Sequence, residues 1–188
     1  DRMSYLETAK AHYEACDYPA AANYLRKACE SELRRILPRH LTLNANCETG
    51  EVRKITKLEN LETNFIKFLQ DNDLDDKPFR ELKTYKKIVL NPLSHDDLEA
   101  PHYGAEIEGG MELVESLKNI KANTILRAGC DKLKLGIYVN GTRQIRKYRF
   151  ELLEDLKIVQ QGTNPLNLCV CRCRLYDPQN QSSEYASL

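Results

Sequence analysis

The chain has 188 residues, 41% of them hydrophobic and 30% charged, and its 28 lysines and arginines balance 28 aspartates and glutamates. This is the composition of a globular domain that is large enough to bury a core. A net charge of zero argues against a protein that coats nucleic acid non-specifically, which needs a broad basic surplus. No membrane span or signal peptide is visible. Because the chain begins DRMSYLE, we expect a domain excised from a longer protein.

Helical periodicity dominates the first part of the chain. SYLETAKAHYEAC predicts one helix, which stops at Asp17. Asp17 is the expected N-cap of a second helix that runs from about Pro19 to Leu37 and ends at Pro38. The apolar stripe predicted for this second helix consists of Ala22, Leu25, Cys29, Leu33 and Ile36.

Residues 39–55 lack clear periodicity, and NANCETGE within them is expected to form a loop. Three more helices are expected after this segment. Their predicted ranges are Lys57 to Leu69, Lys77 to Leu90 with Asp75 or Asp76 as its cap, and Ala105 to Ile125. The apolar face of the third helix is predicted to be Leu58, Leu61, Phe65, Ile66 and Leu69.

After Gly129 the hydrophobic period changes to that of strands. LKLGIYV, Asn140-Gly141 and TRQIRKYRFEL predict a β-hairpin. LEDLKIVQ is a candidate strand, LNLCVCRCRLY is expected to form one strand, and the polar tail DPQNQSSEYASL is expected to fray. The sequence therefore predicts an α+β protein, with an antiparallel helical bundle over residues 1–126 and a small antiparallel β appendage over 127–188.

The seven cysteines do not form a recognisable ligand set, because their number is odd and no pair has the spacing of a zinc site. Cys169, Cys171 and Cys173 alternate, so on one strand they would share a face. We interpret them as small apolar residues of a buried face, and we predict no metal and no cofactor. Reduced thiols indicate a cytoplasmic protein.

Two segments of the helical part contain residues that suit acid–base chemistry. Arg26 and Glu30 lie four apart in YLRKACESELRRIL and share a helix face. His95 lies in LNPLSHDD, near Asn91 and Ser94, where the expected fourth helix ends. Antiparallel packing would bring an arginine, a carboxylate and an imidazole together. Such a trio suits metal-free RNA cleavage, in which an acid and a base move protons while a cation stabilises the phosphorane.

The pattern R-x-x-x-E followed by N-x-x-S-H resembles bacterial anticodon nucleases of the RloC and PrrC class, members of the HEPN superfamily of helical RNases and RNA-binding domains. The matching residues are Arg26, Glu30, Asn91, Ser94 and His95. The segments YPAAANYLRKACESELRRIL and VLNPLSHDD are also similar to HEPN-type segments attached to SMC-like ATPases in phage-defence systems. The resemblance covers about residues 5 to 126.

The resemblance implies a dimeric helical-bundle endoribonuclease that acts on tRNA, leaves a 2′,3′-cyclic phosphate and is controlled by a partner ATPase domain. Arg26, Glu30 and His95 would be catalytic, and Asn91 and Ser94 would support them. The sequence departs from the common HEPN signature, which has an arginine shortly before the histidine, where this chain has Val-Leu-Asn at 89–91. Catalysis would therefore depend on Arg26.

Structural interpretations stand beside these functional ones. Arg26 and Glu30 suit a surface ion pair, and LNPLSHDD suits a turn or helix cap. The alternative to a nuclease is therefore a catalytically inactive HEPN-like module for dimerisation, RNA binding or protein interaction. The other histidines rank lower as catalytic candidates, and His40 is expected in the loop after Pro38.

The neutral total conceals a basic hairpin. Residues 127–149 contain seven basic residues and one acidic residue, a net charge of +6. We assign RNA binding to Arg143, Lys147 and Arg149, which suit phosphate contacts beside aromatic residues. The competing interpretation is an edge strand whose cations protect it from aggregation.

Overall fold

The computed structural model of the protein describes residues 3–45, 49, 51–80, 102–129, 132–138, 145–163, 168–170, 172–176 and 183–187. Within these ranges the helices are α1 (Tyr5–Glu14), α2 (Tyr18–Ile36), α3 (Leu58–Asp71) and α4 (His102–Lys118). The strands there are β1 (Leu43–Ala45), β2 (Val52–Lys54), β3 (Ile120–Leu126), β4 (Lys132–Tyr138), β5 (Ile145–Leu152), β6 (Leu156–Gln161), β7 (Leu168–Val170), β8 (Arg172–Tyr176) and β9 (Ser183–Ser187). The fold is α+β, as the sequence predicts.

The first two helices begin at capping residues. Ser4 and Glu7 form a capping box at α1, in which each side chain accepts a hydrogen bond from the other residue's backbone N–H. Asp17 caps α2 by accepting from Ala20 N at 3.3 Å, and Pro19 follows in the first turn. The predicted cap at Asp17 is therefore confirmed.

The helical core lies around α2, which packs against α1, α3 and α4. The whole predicted stripe of α2 is buried, at 2% exposure or less. Phe65 of α3 is fully buried, and its ring meets the ring of Phe79 edge-on, with 5.2 Å between centroids. Leu117 of α4 is also fully buried. The 3.6-residue period therefore identified the whole buried stripe of α2 and four of the five predicted residues of the α3 face. Ile66 is only partly buried, and Phe68, which the prediction omitted, is 4% exposed.

The prediction of a loop at NANCETGE, residues 44–51, is wrong at its start, because Asn44 and Ala45 belong to β1. Arg39–Thr42 form a 3₁₀ turn, and β1 pairs with β2 in an antiparallel hairpin. This segment is fixed to the helices, because Asn64 Nδ2 donates to the Leu41 carbonyl at 2.7 Å and the Arg34 guanidinium donates to the Ile55 carbonyl. Strands of three residues are too short to show a hydrophobic alternation, so no local pattern predicts them.

The helix expected over Ala105 to Ile125 ends earlier than predicted. It begins at His102 and stops at Lys118, and Ile120–Leu126 form strand β3 instead. Ile120 is 1% exposed, and β3 pairs antiparallel with β6, more than thirty residues later. β-branched residues tolerate both structures at small cost, so the distant partner strand decides between them.

The predicted fourth helix is described only at its start. Lys77–Phe79 form a 3₁₀ turn. Of the two predicted caps, Asp75 Oδ1 accepts from Lys77 N at 3.0 Å, whereas Asp76 makes no capping hydrogen bond. Instead, its carboxylate accepts from Gln70 and from Arg80, at 2.7 and 2.9 Å. The remainder of that helix lies outside the described residues.

The strands of the C-terminal part form two antiparallel sheets, with orders β3-β6-β7 and β4-β5-β8-β9. The predicted hairpin is confirmed as β4 and β5, paired from Lys132↔Glu151 to Tyr138↔Ile145. The Asn140-Gly141 turn lies outside the described residues.

Two predictions about the end of the chain are wrong. LNLCVCRCRLY does not form one strand, because β7 joins the sheet of β6 whereas β8 joins the sheet of β5. Cys169 and Cys173 therefore belong to different sheets. The tail does not fray throughout, since Ser183–Ser187 pair with β8 as strand β9.

Contacts cross residue 126, the predicted boundary between the helical and β parts. Val159 of β6 is fully buried within the helical core. Lys157 Nζ donates to the carbonyls of Arg35 and Leu37, at 2.9 and 3.1 Å, where α2 ends. Division of the chain into two domains stays a prediction. None of the helices within the described ranges is long and apolar enough to cross a membrane.

Candidate functional site

Arg26 and Glu30 form an ion pair on α2. Arg26 Nε donates to Glu30 Oε1 at 3.1 Å, and the two side chains are 29% and 26% exposed. The pair is more shielded than the surface pair of Arg53 and Glu51, whose side chains are 77% and 52% exposed. Partial burial strengthens an ion pair while leaving it accessible to a substrate.

Cys29, beside this pair on α2, is fully buried. Its burial raises the pKa of the thiol, and the nearby carboxylates of Glu62, Glu30 and Glu32 raise it further. A thiol in such surroundings stays protonated and is a poor nucleophile. We therefore assign Cys29 to the core rather than to chemistry.

The other helical candidates fall outside the part of the chain that the structure describes. Asn91, Ser94 and His95 belong to residues 81–101, so their convergence with Arg26 and Glu30 stays a prediction.

Two of the predicted RNA-binding residues lie on β5. Arg149 and Phe150, at the end of TRQIRKYRF, pair with both β4 and β8, which is contrary to the interpretation of this segment as a protected edge. Within the described residues β8 pairs only with Arg149–Leu152 of β5, so the interpretation is not contradicted at Lys147. Lys147 and Arg149 occupy alternate positions of β5, and Arg149 is exposed. Arg143 lies outside the described residues.

The structure also joins two residues that the sequence analysis did not connect, His40 and Glu154. The Glu154 carboxylate is 3% exposed and lies 2.6 Å from His40 Nδ1. It also accepts from the backbone N–H groups of His40 and Arg172, both at 2.8 Å. The partners are 114 positions apart, so no local pattern could have identified them.

The charge of Glu154 is maintained by these hydrogen bonds. Burial acts to raise its pKa, but the bonds from the His40 ring, the His40 N–H and the Arg172 N–H outweigh burial and hold the pKa below its ordinary value. A carboxylate can only accept, so Nδ1 of His40 carries the proton of this bond. The arrangement orients the His40 imidazole, which is about one-third exposed. It also connects the 3₁₀ turn of Arg39–Thr42 to the start of β8.

A second polar cluster connects the end of α1 and the start of α2 to α4. The Tyr13 hydroxyl donates to Glu108 Oε1 at 2.7 Å, and this bond raises the pKa of Tyr13 to about 12. Gly104 packs beside the cluster, and a Cβ there would lie 3.7 Å from the Tyr13 hydroxyl and 3.8 Å from that of Tyr18, which are ordinary van der Waals contacts. We interpret this cluster as a packing contact between the helices.

No group of three or more histidine, cysteine, aspartate or glutamate side chains in the described part of the chain is arranged to hold a metal ion. Comparison of the chain with protein-family models, with curated proteins and with solved structures finds no match, so the site is judged from its own residues.

Proposed function

We propose that the protein is a metal-independent endoribonuclease with tRNA as its substrate, and the effector domain of a larger phage-defence ATPase protein. Its catalytic residues are Arg26, Glu30 and His95, with Asn91 and Ser94 in support. It acts as a homodimer in the cytoplasm, and its helical part has the HEPN-like arrangement. The observation that supports this proposal best is the partly buried Arg26–Glu30 ion pair on α2.

The proposed reaction is a transesterification within the RNA. A base, His95 or Glu30, removes the proton of a ribose 2′-OH, and the 2′-oxygen forms a bond to the adjacent phosphorus. The bond from phosphorus to the 5′-oxygen breaks, and the other proton carrier protonates that oxygen. Arg26 donates to the phosphorane oxygens while they carry the added charge. The products are a 2′,3′-cyclic phosphate and a 5′-hydroxyl.

A second candidate is a catalytically inactive module for dimerisation, RNA binding or protein interaction. It is favoured by the spacing of Arg26 and Glu30, because an i,i+4 pair at 3.1 Å is also the geometry of an ordinary ion pair within a helix. Such a module would bind RNA without cutting it.

The test is expression in bacteria, followed by analysis of total tRNA. The unaltered protein should stop bacterial growth. The purified protein should release tRNA fragments with cyclic phosphate ends even when a chelator is present in the reaction. Arg26→Ala, Glu30→Ala and His95→Ala should each restore growth and reduce cleavage by purified protein at least about a hundredfold, the scale of a lost acid–base or electrostatic contribution.

The matched control is Arg53→Ala, which removes an exposed arginine that is also paired with a glutamate. It should leave toxicity and cleavage unchanged. If all three catalytic variants remain as toxic as the unaltered protein, the nuclease proposal fails. RNA binding without any cleaved termini would support the inactive module instead.

A further inference from the structure

The register of the four-stranded sheet divides its residues into two sets that lie on opposite faces. Cα partners in adjacent strands share a face, and residues alternate between faces along each strand. Lys134 pairs with Arg149, which pairs with Tyr176 of β8, and Tyr176 pairs with Ser183 of β9. We call the face that contains these positions the basic face. Its cations are Lys132, Lys134, Lys147, Arg149, Arg172 and Arg174.

The described side chains identify which face meets solvent. Arg149 and Arg172, on the basic face, are exposed. Leu152 and Cys173 are Cα partners on the opposite face, and they are 3% and 0% exposed. Leu152 and Cys173 therefore belong to a buried layer on one face, whereas Arg149 and Arg172 on the basic face meet solvent.

The charge of this face indicates a polyanionic partner. Among its described positions, Glu151 supplies the single carboxylate against six cations, which gives a net charge of +5 in a chain that is neutral overall. Lys134 and Arg149 are direct cross-strand partners, and like charges at such positions destabilise a sheet. A bound polyanion would neutralise that repulsion.

The tyrosines that occupy positions between the cations indicate which class of polyanion suits this face. Tyr176 is the cross-strand partner of Arg149, Tyr185 is the partner of Arg174, and Tyr138 is the last residue of β4 on the same face. Aromatic residues among cations on a sheet are suited to unpaired bases, which stack on the rings while their phosphates meet the cations. Duplex nucleic acid, an acidic protein and an anionic membrane have no unstacked bases for the tyrosines.

We propose that the basic face of the β4-β5-β8-β9 sheet binds single-stranded RNA, with phosphates on the cations and bases stacked on Tyr176 and Tyr185. The inference deepens the proposed function and rests on it for the identification of RNA as the ligand. It extends the RNA-binding site from Lys147 and Arg149 to β8 and β9. Arg146 takes no part, because it lies on the opposite face.

The probe is a fluorescein-labelled oligouridylate of about 12 nucleotides, within the range of known single-strand site sizes. Its affinity for the full chain is measured by fluorescence anisotropy at several salt concentrations. Lys134→Gln combined with Arg149→Gln should weaken binding about tenfold and lower the salt slope by about 1.4, since each phosphate contact on a single strand contributes about 0.7.

The matched control combines Lys67→Gln with Lys121→Gln, which neutralises two exposed lysines on α3 and on the other sheet. Its affinity and salt slope should match those of the unaltered protein. Tyr176→Leu should weaken binding about tenfold, whereas Tyr176→Phe, which keeps the ring, should retain affinity within about twofold. Thermal melts confirm that each variant is folded.

Three results would overturn the inference. The first is equal affinity for the sheet variant and its control. The second is unchanged binding by Tyr176→Leu together with equally tight binding of duplex RNA. The third has two parts. Polyaspartate or phosphatidylserine vesicles displace the oligouridylate at an equal concentration of anionic charge, and Tyr176→Leu leaves the affinity for the oligouridylate unchanged.

Failure of the nuclease proposal is recognised separately. Binding at the basic face by a protein that never cuts tRNA would contradict catalysis alone. Cleavage that depends on Arg26, with normal binding by the Lys134→Gln and Arg149→Gln variant, would contradict the RNA site on the sheet alone.

Discussion

Among single residues, Glu154 is the clearest example of a buried charge that is fully compensated. A carboxylate at 3% exposure would be costly without partners, and here it accepts from one imidazole and two backbone N–H groups. Removal of the charge weakens three hydrogen bonds at once. Glu154 therefore joins the first half of the chain to the last strands through hydrogen bonds rather than through apolar contacts.

We predict that Glu154→Gln lowers the free energy of unfolding at pH 7 by about 1–3 kcal/mol, as for a charged hydrogen-bond partner that is buried. The pKa of Glu154 lies below its ordinary value of 4.5, so the unfolded chain binds the proton more tightly. The stabilisation is complete above pH 4.5 and is lost as the pH falls through the folded-state pKa.

Urea unfolding between pH 7 and pH 3 checks this prediction. The difference between the unaltered protein and Glu154→Gln should shrink as the medium becomes acidic. Glu14→Gln, which alters an exposed carboxylate on α1, should stay within about 0.5 kcal/mol of the unaltered protein throughout. A difference that grows as the pH falls would contradict the assigned charge.

At the scale of elements, local signals decide where helices begin, and tertiary pairing decides which short segments become strands. The α1 capping box is such a local signal, because Ser4 and Glu7 satisfy backbone N–H groups within one turn. β3 shows the opposite case. Its residues follow α4 directly and continue an apolar pattern, yet pairing with β6 makes them a strand.

We predict that Ser4→Ala destabilises the protein by about 1 kcal/mol, because the N–H of Glu7 loses its acceptor at the start of α1. Thermal or denaturant unfolding checks the value. Ser31→Ala, at an exposed position within α2, is the matched control and should be neutral or slightly stabilising because alanine favours helix interiors. Equal losses for both variants would show that the cap contributes nothing specific.

For the molecule as a whole, the helices and the β3-β6 pair share one core. Val159 of β6 and Ile120 of β3 are both buried in the cluster that contains the faces of α2 and α3. Lys157 of β6 donates to the Arg35 carbonyl near the end of α2, and Gln161 and Asp75 exchange two hydrogen bonds, at 2.7 and 2.8 Å. Both are polar contacts across the predicted boundary. These contacts favour cooperative unfolding of the two parts.

We predict that Val159→Ala lowers the stability of the helices as well as the sheet, by about 2 kcal/mol, because it removes fully buried methyl groups from the shared core. Circular dichroism of the helices should show a lowered unfolding midpoint. Hydrogen exchange should show that the free energy of opening is lowered equally in α2 and in β6. Val52→Ala, at a position that is 57% exposed, should have little effect. Earlier loss of β6 with unaltered helices would indicate two independent domains divided near residue 126.

The sequence alone identified the features that depend on neighbouring residues. The Asp17 cap, the buried stripe of α2 and the β4-β5 hairpin were all predictable, because capping, helical periodicity and strand alternation act within a few residues. The Arg26–Glu30 pair belongs to the same group, since four residues in a helix suffice to bring its atoms together.

Only the tertiary structure decided the features that join distant segments. β3 and β6, His40 and Glu154, and the separation of β7 from β8 each depend on partners that no local pattern identifies. The basic face is the clearest case. On β5 alone, cations and apolar residues occur on both faces, and only the register with β4, β8 and β9 gathers six cations and three tyrosines on one of them. The physical reason is that a strand acquires its surroundings from hydrogen-bonded neighbours, whereas a helix satisfies its backbone within itself.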